Sequence, residues 1–273
     1  MGSIAFHFFG LPIYWYGIII ALSILVAVFV GTWLCKKLGY KEEIPFEVMI
    51  AAVPIGILGA RFLSILGTGS SITEFFNFRD GGMSIYGGVL AACLGVFIYT
   101  HFIKKCGFFS IMDLLAIAGI LAQSIGRWGN FFNKEVYGLE TNFDFFPLTV
   151  LIDGTPHLAL FFYESILTLI GFCLLLKVFS KQKKIGTTSA VYLIYYGCVR
   201  AILEPLRETT YNLTVGPIML SLALSILAIA LGVLMLYLNK IGKISQKNLT
   251  LYKDTKIEKP EKETKEKPTK EKR

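Results

Sequence analysis

The strongest candidate for chemistry in this sequence is the segment 126–138, which reads Gly-Arg-Trp-Gly-Asn-Phe-Phe-Asn-Lys-Glu-Val-Tyr-Gly. It directly follows the apolar run 111–125 and combines a guanidinium, two amides and a carboxylate, from Arg127, Asn130, Asn133 and Glu135. A charged side chain within a membrane-spanning segment costs about 2.5–3.5 kcal/mol even on the scale from insertion experiments. We therefore predict a turn-rich polar site here, in which Arg127 has a partner.

A second set of charged residues has helical spacing. Arg200, Glu204 and Arg207 are spaced i, i+4 and i+7, so they share one face of a helix, with Tyr196 one turn earlier. One interpretation is an internal ion pair that lets the helix carry polar groups. The other starts from the excess of arginine over glutamate, because a guanidinium near lipid requires an anion and its planar fork matches two phosphate oxygens. The second interpretation predicts a phosphate site on this face.

Glycines surround Tyr86 in the segment 80–88, which reads Asp-Gly-Gly-Met-Ser-Ile-Tyr-Gly-Gly. Four glycines in such a stretch are typical of close helix packing in a bilayer. They would equally let a lipid headgroup or a peptide backbone approach Tyr86. The sequence does not decide between these interpretations, and Tyr86 stays a candidate catalytic residue.

Three further residues are candidates for substrate binding. Arg61 lies inside an apolar segment, so it needs a partner or a polar cavity. Tyr16 lies at the start of the first apolar segment, where aromatic residues commonly mark the membrane interface. Glu164 is either hydrated at the interface or bound to an arginine, and its spacing does not decide which.

The composition indicates a membrane protein. The chain has 273 residues, of which 54% are hydrophobic and 17% charged, and its mean hydropathy of +0.61 is too high for a soluble domain. Of the net charge of +8, +6 comes from residues 240–273, with twelve basic and six acidic side chains, so nucleic-acid binding has little support. The five cysteines and three histidines lack metal-ligand spacing, so we predict no metal and no cofactor.

Seven apolar runs approach or exceed the length needed to cross about 30 Å of hydrocarbon. They cover residues 11–34, 46–66, 83–103, 111–127, 159–179, 187–204 and 217–238. Lysines follow the first, third, fifth and seventh runs, whereas the opposite loops contain few basic residues. The positive-inside rule then predicts an all-α, polytopic membrane protein with seven transmembrane helices, the N-terminus outside and the C-terminus cytoplasmic.

This topology divides the chain into two parts. Residues 1–239 form the predicted seven-helix transmembrane catalytic domain. Residues 240–273 are rich in lysine, glutamate, threonine and proline, so we predict a disordered cytoplasmic tail. The polar segments 80–88, 126–138 and 205–216 all lie at the outer face in this arrangement.

These motifs resemble a known family. Segment 126–138 is similar to the signature of the bacterial prolipoprotein diacylglyceryl transferases, and the similarity continues in order along most of the chain, outside the tail. The other matching motifs are Trp15-Tyr16-Gly17, Gly59-Ala60-Arg61, Asp80-Gly-Gly-Met-Ser, Tyr163-Glu164-Ser165 and Arg200-Ala-Ile-Leu-Glu-Pro-Leu-Arg207.

The resemblance implies a seven-span enzyme of the bacterial inner membrane. Such an enzyme moves the diacylglyceryl group of phosphatidylglycerol onto the lipobox cysteine thiol of a preprolipoprotein, so that a thioether forms and glycerol phosphate leaves. Its implied partners are phosphatidylglycerol, preprolipoprotein signal peptides and the surrounding membrane lipids. The residues that match functional positions of the family are Tyr16, Arg127, Asn130, Glu135, Glu164, Arg200, Glu204 and Arg207.

Two positions depart from the family pattern. Tyr86 stands where many members have histidine, and a phenol with a pKa of about 10 is a poor general base near pH 7. His157 lies one place too early for the usual His-Pro, with Leu158 in the expected position, so we assign His157 no role. We therefore favour a mechanism without a histidine base, in which arginines stabilise both the attacking thiolate and the departing phosphate.

In this hypothesis the polar residues have different roles. Arg127 and Arg200 hold the phosphate of phosphatidylglycerol, and Arg207 is a gate or a second phosphate contact. The side chains that orient the arginines and the headgroup hydroxyls are Asn130, Glu135 and Glu204.

Two alternatives belong to other functional classes. A transporter would also carry charges and glycine-broken helices in its spans, but one half of the sequence does not repeat the other. A retargeted or inactive family member is suggested by Tyr86. Transport would show as flux without turnover of phosphatidylglycerol, and a retargeted member would gain activity from Tyr86→His.

Overall fold

The computed structural model describes residues 3–68, 72–76, 84–104, 106–211, 214–215 and 218–244. In chain order the α-helices, named α1 to α7, are Trp15–Leu38, Ile44–Thr68, Ile85–Ile98, Phe108–Asn133, Leu160–Lys181, Thr187–Leu203 and Leu220–Lys240. The strands pair as antiparallel hairpins: β1 (Ile4–Phe8) with β2 (Leu11–Tyr14), β3 (Thr149–Ile152) with β4 (Thr155–Leu158), and β5 (Thr214–Val215) with β6 (Ile218–Met219). A π-helical turn, Tyr99–Ile103, continues α3.

Six of these helices are long and apolar enough to cross a membrane when α3 is counted together with its π-helical turn, as Ile85–Ile103. The exception among the described residues is α6, with 17 residues. Large apolar side chains point outward from them; Phe29 of α1 is 73% exposed and Leu90 of α3 is 70% exposed. A bilayer would cover such side chains with lipid tails. The chain is therefore a multi-pass membrane protein, and a crossing by α6 stays a prediction.

Consecutive helices run in opposite directions. The start of α1 meets the end of α4 where Trp15 stacks on Phe132, and the start of α6 meets the end of α7 where Lys184 donates to the carbonyl of Asn239. One end of the bundle therefore carries the C-termini of α2, α4 and α6. We call this the arginine end, and we call the opposite end, where α1, α3, α5 and α7 finish, the lysine end.

Helix α4 is the central element of the bundle. It contacts α1, α5 and α6, and half of its most apolar stretch is buried, against a third or less in the other five membrane-length helices. Ile111, Ile117 and Ile120 of α4 are at most 1% exposed and belong to the main apolar core. A side chain on the last turns of α4 is therefore held by the best-packed helix of the protein.

Close packing of α2 on α3 accounts for part of the glycine-rich segment. A Cβ on Gly87 would collide with the carbonyl oxygen of Gly59, and a Cβ on Gly95 would come within 2.9 Å of the carbonyl oxygen of Ala51. Glycine is needed because backbone atoms cannot move aside as side chains do. This supports the packing interpretation for Gly87, whereas residues 80–83 of the same motif lie outside the described residues.

The structure corrects two predictions. Segment 126–138 is not turn-rich throughout, because α4 continues to Asn133 and places Arg127, Asn130 and Asn133 on a helix. Polar residues there do not end the helix because they face the protein interior. The fold is also not purely α-helical, since hairpin β1–β2 precedes α1 and the other two hairpins lie in the connections from α4 to α5 and from α6 to α7.

Candidate active site

Three helices bring charged side chains together at the arginine end. Arg127 lies two turns before the end of α4, Glu164 lies in the second turn of α5, and Arg200 lies close to the end of α6. These helices contact one another in pairs. Side chains that are far apart in the sequence therefore become neighbours in the bundle.

Glu164 is the link between the first two arginines. The residue is only 3% exposed. Its Oε1 accepts hydrogen bonds from Nη2 of Arg127 at 2.7 Å and from the hydroxyl of Tyr196 at 3.0 Å. Its Oε2 accepts a hydrogen bond from Nη1 of Arg200 at 3.2 Å. Of the two environments that the sequence allowed for Glu164, the structure shows the one bound to arginine.

Glu204 likewise links two arginines, Arg200 and Arg207. It is 1% exposed, pairs with Nη2 of Arg200 one helical turn away, and lies 3.5 Å from Nη1 of Arg207. Ser221, in the first turn of α7, accepts a further hydrogen bond from Nη2 of Arg200 at 2.9 Å. Arg200 is thus held on both sides by carboxylates.

The result is an alternating row, which we call the arginine cluster: Arg127, Glu164, Arg200, Glu204 and Arg207. Three guanidinium groups and two carboxylates leave a net charge of +1. The arginine side chains are only 14–18% exposed. The structure therefore confirms the internal ion pairs of the first interpretation, whereas the phosphate site of the second stays a prediction. Removing one partner from such a buried network costs about 3–5 kcal/mol.

A narrow cleft with a volume of only ≈ 10 Å³ opens beside the cluster. Its walls include Arg127, Asn130 and Val136. Val136 has φ = 57°, a left-handed conformation that is rare for a β-branched residue and is often found at functional sites. The volume lies far below the range of about 300–1,000 Å³ typical of small-molecule pockets, so the cleft is nearly closed in this structure.

Arg127 is the arginine best placed to use this cleft. Its contacts with Glu164 and with the hydroxyl of Tyr196, the latter at 3.3 Å, both involve Nη2. The remaining nitrogens of Arg127 take no part in the hydrogen bonds found among the described residues. A guanidinium held along one edge can present its other edge to an anion.

The side chains of Asn130, Asn133 and Glu135 in segment 126–138 form a separate hydrogen-bonded group. Oε1 of Glu135 accepts hydrogen bonds from the amide of Asn130 at 3.1 Å and from the amide of Asn133 at 3.3 Å. Lys134, in a left-handed conformation with φ = 51°, turns the chain so that Glu135 folds back onto α4. These hydrogen bonds hold the buried side chain of Asn130 on the wall of the cleft.

Arg207 is positioned by backbone pairing. Gly138 and Arg207 form an antiparallel bridge, Leu139 N–H donates to the carbonyl of Leu206, and Glu208 N–H donates to the carbonyl of Tyr137. Burial lowers the pKa of the Arg207 guanidinium, the Glu204 carboxylate opposes this, and the neighbouring arginines lower the pKa further. Since arginine begins near about 12.5, Arg207 still carries its charge at neutral pH.

The other predicted site residues lie outside the cluster. The ring of Tyr16 lies against Gly129 of α4, close enough that a Cβ there would sit 2.7 Å from it. Arg61 is buried on α2, beside Ala60, whose carbonyl accepts a hydrogen bond from the backbone of Ser84. Tyr86 is half-buried in the first turn of α3 and makes no hydrogen bond to the arginine cluster within the described part of the chain.

Two residues of this region were not predicted from the sequence to contribute to the site. His157 is buried, and its Nδ1 lies 2.9 Å from the carbonyl oxygen of Gly138, so it supports the segment that holds Arg207. Ser221, one of two serines in the apolar helix α7, accepts a hydrogen bond from Arg200. A polar residue at the start of α7 gives no hint of its partner until α6 and α7 are packed together.

Known proteins are similar to this chain over most of its length. The model of the prolipoprotein diacylglyceryl transferase family matches residues 3–238. This chain belongs to the prolipoprotein diacylglyceryl transferase family. A phosphatidylglycerol–prolipoprotein diacylglyceryl transferase of Finegoldia magna is 35% identical over 240 residues, covering 86% of this chain and 94% of the relative. The enzymes of that name from Clostridioides difficile and Enterococcus faecalis are 34% and 36% identical, covering 89% and 76% of this chain and 98% and 80% of their own lengths.

Family membership and the geometry of the site both point to the arginine cluster. The matched region contains all seven helices except the last two residues of α7, and it contains the whole arginine cluster. The names of the relatives specify an anionic phospholipid and a prolipoprotein as what those enzymes act on. A cluster of three arginines and two glutamates at this end of the bundle is compatible with such a lipid.

Proposed function

We propose that this chain transfers the diacylglyceryl group of phosphatidylglycerol to the lipobox cysteine thiol of preprolipoproteins. A sulfur–carbon bond forms while the bond between the glyceryl carbon and a phosphate oxygen breaks. The thiol proton is released and glycerol phosphate leaves with the electron pair of the broken bond. The observation that supports this most strongly is the net positive arginine cluster, partly buried at one end of a membrane-spanning bundle and lining a narrow cleft.

The geometry refines the division of roles within the site. Arg127 presents an unoccupied edge to the cleft, so it is the primary phosphate ligand. Arg200 is already held by two carboxylates and Ser221, so its main task is to position Glu164 and Glu204 and to contribute positive charge. This charge stabilises negative charge as it develops on the leaving phosphate, and it favours the thiolate of the incoming cysteine.

We propose that the arginine end faces outward and that the protein resides in the bacterial cytoplasmic membrane. Lys36, Lys37, Lys104, Lys181 and Lys183 all lie at or beyond helix termini of the opposite end, and lysine-rich ends stay in the cytoplasm. The charged face of α6 packs against α4 and α5, which would allow this short helix to cross as a seventh span. A lipobox cysteine delivered by a secretory signal peptide would meet the cleft from outside.

Transfer by the purified chain is the direct test. Incubation with phosphatidylglycerol and a synthetic lipobox peptide should yield a peptide whose mass has increased by one diacylglyceryl group. A peptide with serine in place of the cysteine should stay unmodified, and phosphatidylcholine should not serve as donor. Failure of transfer by the wild-type chain, together with a strong gain in Tyr86→His, would favour a retargeted family member instead.

Gly138→Ala tests whether the segment that holds Arg207 matters. A Cβ there would lie 2.7 Å from the carbonyl oxygen of Leu206 and 2.8 Å from Cβ of Leu158. Because a backbone atom blocks one side, the pairing with residues 206–208 must shift and Arg207 with it. We expect transfer to fall about 10- to 100-fold, as misplacement of catalytic groups by about 1 Å can cost that much.

The control for this variant is Gly119→Ala, since a Cβ on Gly119 of α4 meets nothing within 4 Å. It should retain transfer activity, and alanine should slightly stabilise the helix. Wild-type activity in Gly138→Ala would show that the position of Arg207 is not important for the reaction.

A further inference from the structure

A second cavity, at the lysine end, lies far from the arginine cluster. Its volume is ≈ 510 Å³, within the range of ligand pockets. The end of α1, the first turns of α4, the end of α5 and the connection to α6 form its walls. None of its lining residues belongs to the site at the arginine end.

The charged residues that line this cavity are mainly basic: Lys37, Lys183 and Lys184 against Asp113. Asp113 is fully engaged in holding the start of α6. Its Oδ1 accepts from the backbone N–H and the hydroxyl of Ser189, and its Oδ2 accepts from the backbone N–H of Gly186 and from the side chain of Gln182. The single carboxylate is therefore surrounded by donors, which weakens its repulsion of an anion.

Two of the lysines lack an acidic partner among the described residues. Lys37 lies over the ring of Trp33, 5.2 Å from its centroid, and Lys183 takes part in none of the ion pairs found there. Lys184 is committed to the last carbonyls of α7, at Asn239 and Lys240. The mouth of the cavity is consequently positive.

The side chain of Ser110 is an independent indication that the cavity can bind a polar group. It is only 8% exposed and lines the cavity, and its hydroxyl has no hydrogen-bond partner within the part of the chain that the structure describes. It lies in the first turn of α4, which has no side-chain cap and no acidic residue. The N-terminus of a 26-residue helix favours negative charge. A phosphate oxygen would satisfy the hydroxyl.

The remaining walls are apolar and reach the lipid-facing surface. Trp33 and Leu38 are 46% and 39% exposed, and Leu176 and Phe179 of α5 complete this side. A free phosphate would leave these side chains uncovered, and a basic peptide would be repelled by the lysines. We propose that this cavity binds an anionic phospholipid from the leaflet at the lysine end, with its phosphate at Ser110 and Lys183 and its acyl chains along α1 and α5. The site does not depend on the transfer reaction.

The proposal is tested by photolabelling. The full-length chain is reconstituted in phosphatidylcholine vesicles that contain a phosphatidic acid with a photoactivatable group near the glycerol end of one acyl chain. Labelled peptides are mapped by mass spectrometry. We expect labels in residues 33–40 and 176–185, and a reduction of at least about fivefold in Lys37→Gln/Lys183→Gln. Ser110→Ala should reduce labelling by about half.

The matched control is Lys177→Gln/Lys181→Gln, which removes the same charge from the same end without changing a residue that lines the cavity. It should label like the wild type, and labelling at the arginine end should be equal in all variants. Equal losses in both double variants would overturn the proposal, because general electrostatic attraction would then explain the labelling. Displacement of the lipid by millimolar inorganic phosphate would identify a free-anion site and equally overturn it. Transfer activity retained in each variant confirms that it is folded.

Discussion

Replacement of Glu164 by glutamine should reduce diacylglyceryl transfer by at least about 100-fold. The carboxylate binds Arg127 and Arg200 at once, with Tyr196 as a third donor. A glutamine oxygen can accept from one guanidinium, but its NH₂ group then faces the other. The network loses one of its two negative charges, and breaking a buried ion pair costs about 3–5 kcal/mol. Since about 1.4 kcal/mol corresponds to a tenfold change in rate, even part of this loss accounts for the expected effect.

The measurement separates lost chemistry from lost folding. Transfer rates are compared with thermal unfolding in the same detergent, and Glu140→Gln serves as the control because Glu140 is exposed on the same end of the molecule. The control should keep both its rate and its melting temperature. A Glu164→Gln protein that melts normally and transfers within threefold of the wild-type rate would contradict a linking role for this carboxylate.

The apolar runs predicted most of the fold because a helix in a bilayer must satisfy its own backbone hydrogen bonds. Six predicted spans coincide with helices of membrane length, although boundaries moved by several residues, as α1 shows by starting at Trp15 instead of residue 11. The largest error concerned α4. Polar residues after Arg127 indicated a turn, but α4 is surrounded by other helices at this depth, so its polar face is stabilised by partners and the helix continues.

The site was only partly predictable for a related reason. Spacing along α6 correctly predicted the pair of Arg200 and Glu204, because i, i+4 contacts are local. The prediction was wrong for Arg207, because α6 ends at Leu203 and Arg207 has an extended backbone after a short 3-10 turn. The links from Arg127 and Arg200 to Glu164 depend on the packing of α4, α5 and α6, which the sequence of one chain does not reveal. The predicted grouping of Tyr86 with the catalytic residues remains untested, since part of its motif lies outside the described residues.

Arg127→Lys and Arg200→Lys should both reduce transfer about 100-fold, but for different reasons. Lysine at position 127 keeps the charge and can still reach Glu164, yet it cannot present a second edge to the phosphate. Lysine at position 200 lacks the fork that spans two carboxylates, so Glu164 or Glu204 loses a buried partner. We therefore expect Arg127→Lys to melt near the wild-type temperature, whereas Arg200→Lys melts several degrees lower.

Inhibition by soluble glycerol phosphate distinguishes the two roles further. The inhibition constant should rise at least about tenfold in Arg127→Lys, because a bidentate contact to phosphate is lost. In Arg200→Lys the inhibition constant should change by less than about threefold, because the guanidinium that this variant removes is already held by carboxylates. Lys134→Arg, an exchange of cations at an exposed position beside the cleft, is the control and should alter neither quantity. The opposite pattern, with inhibitor affinity lost only in Arg200→Lys, would make Arg200 the phosphate ligand and would require its pairs with Glu164 and Glu204 to open when lipid binds.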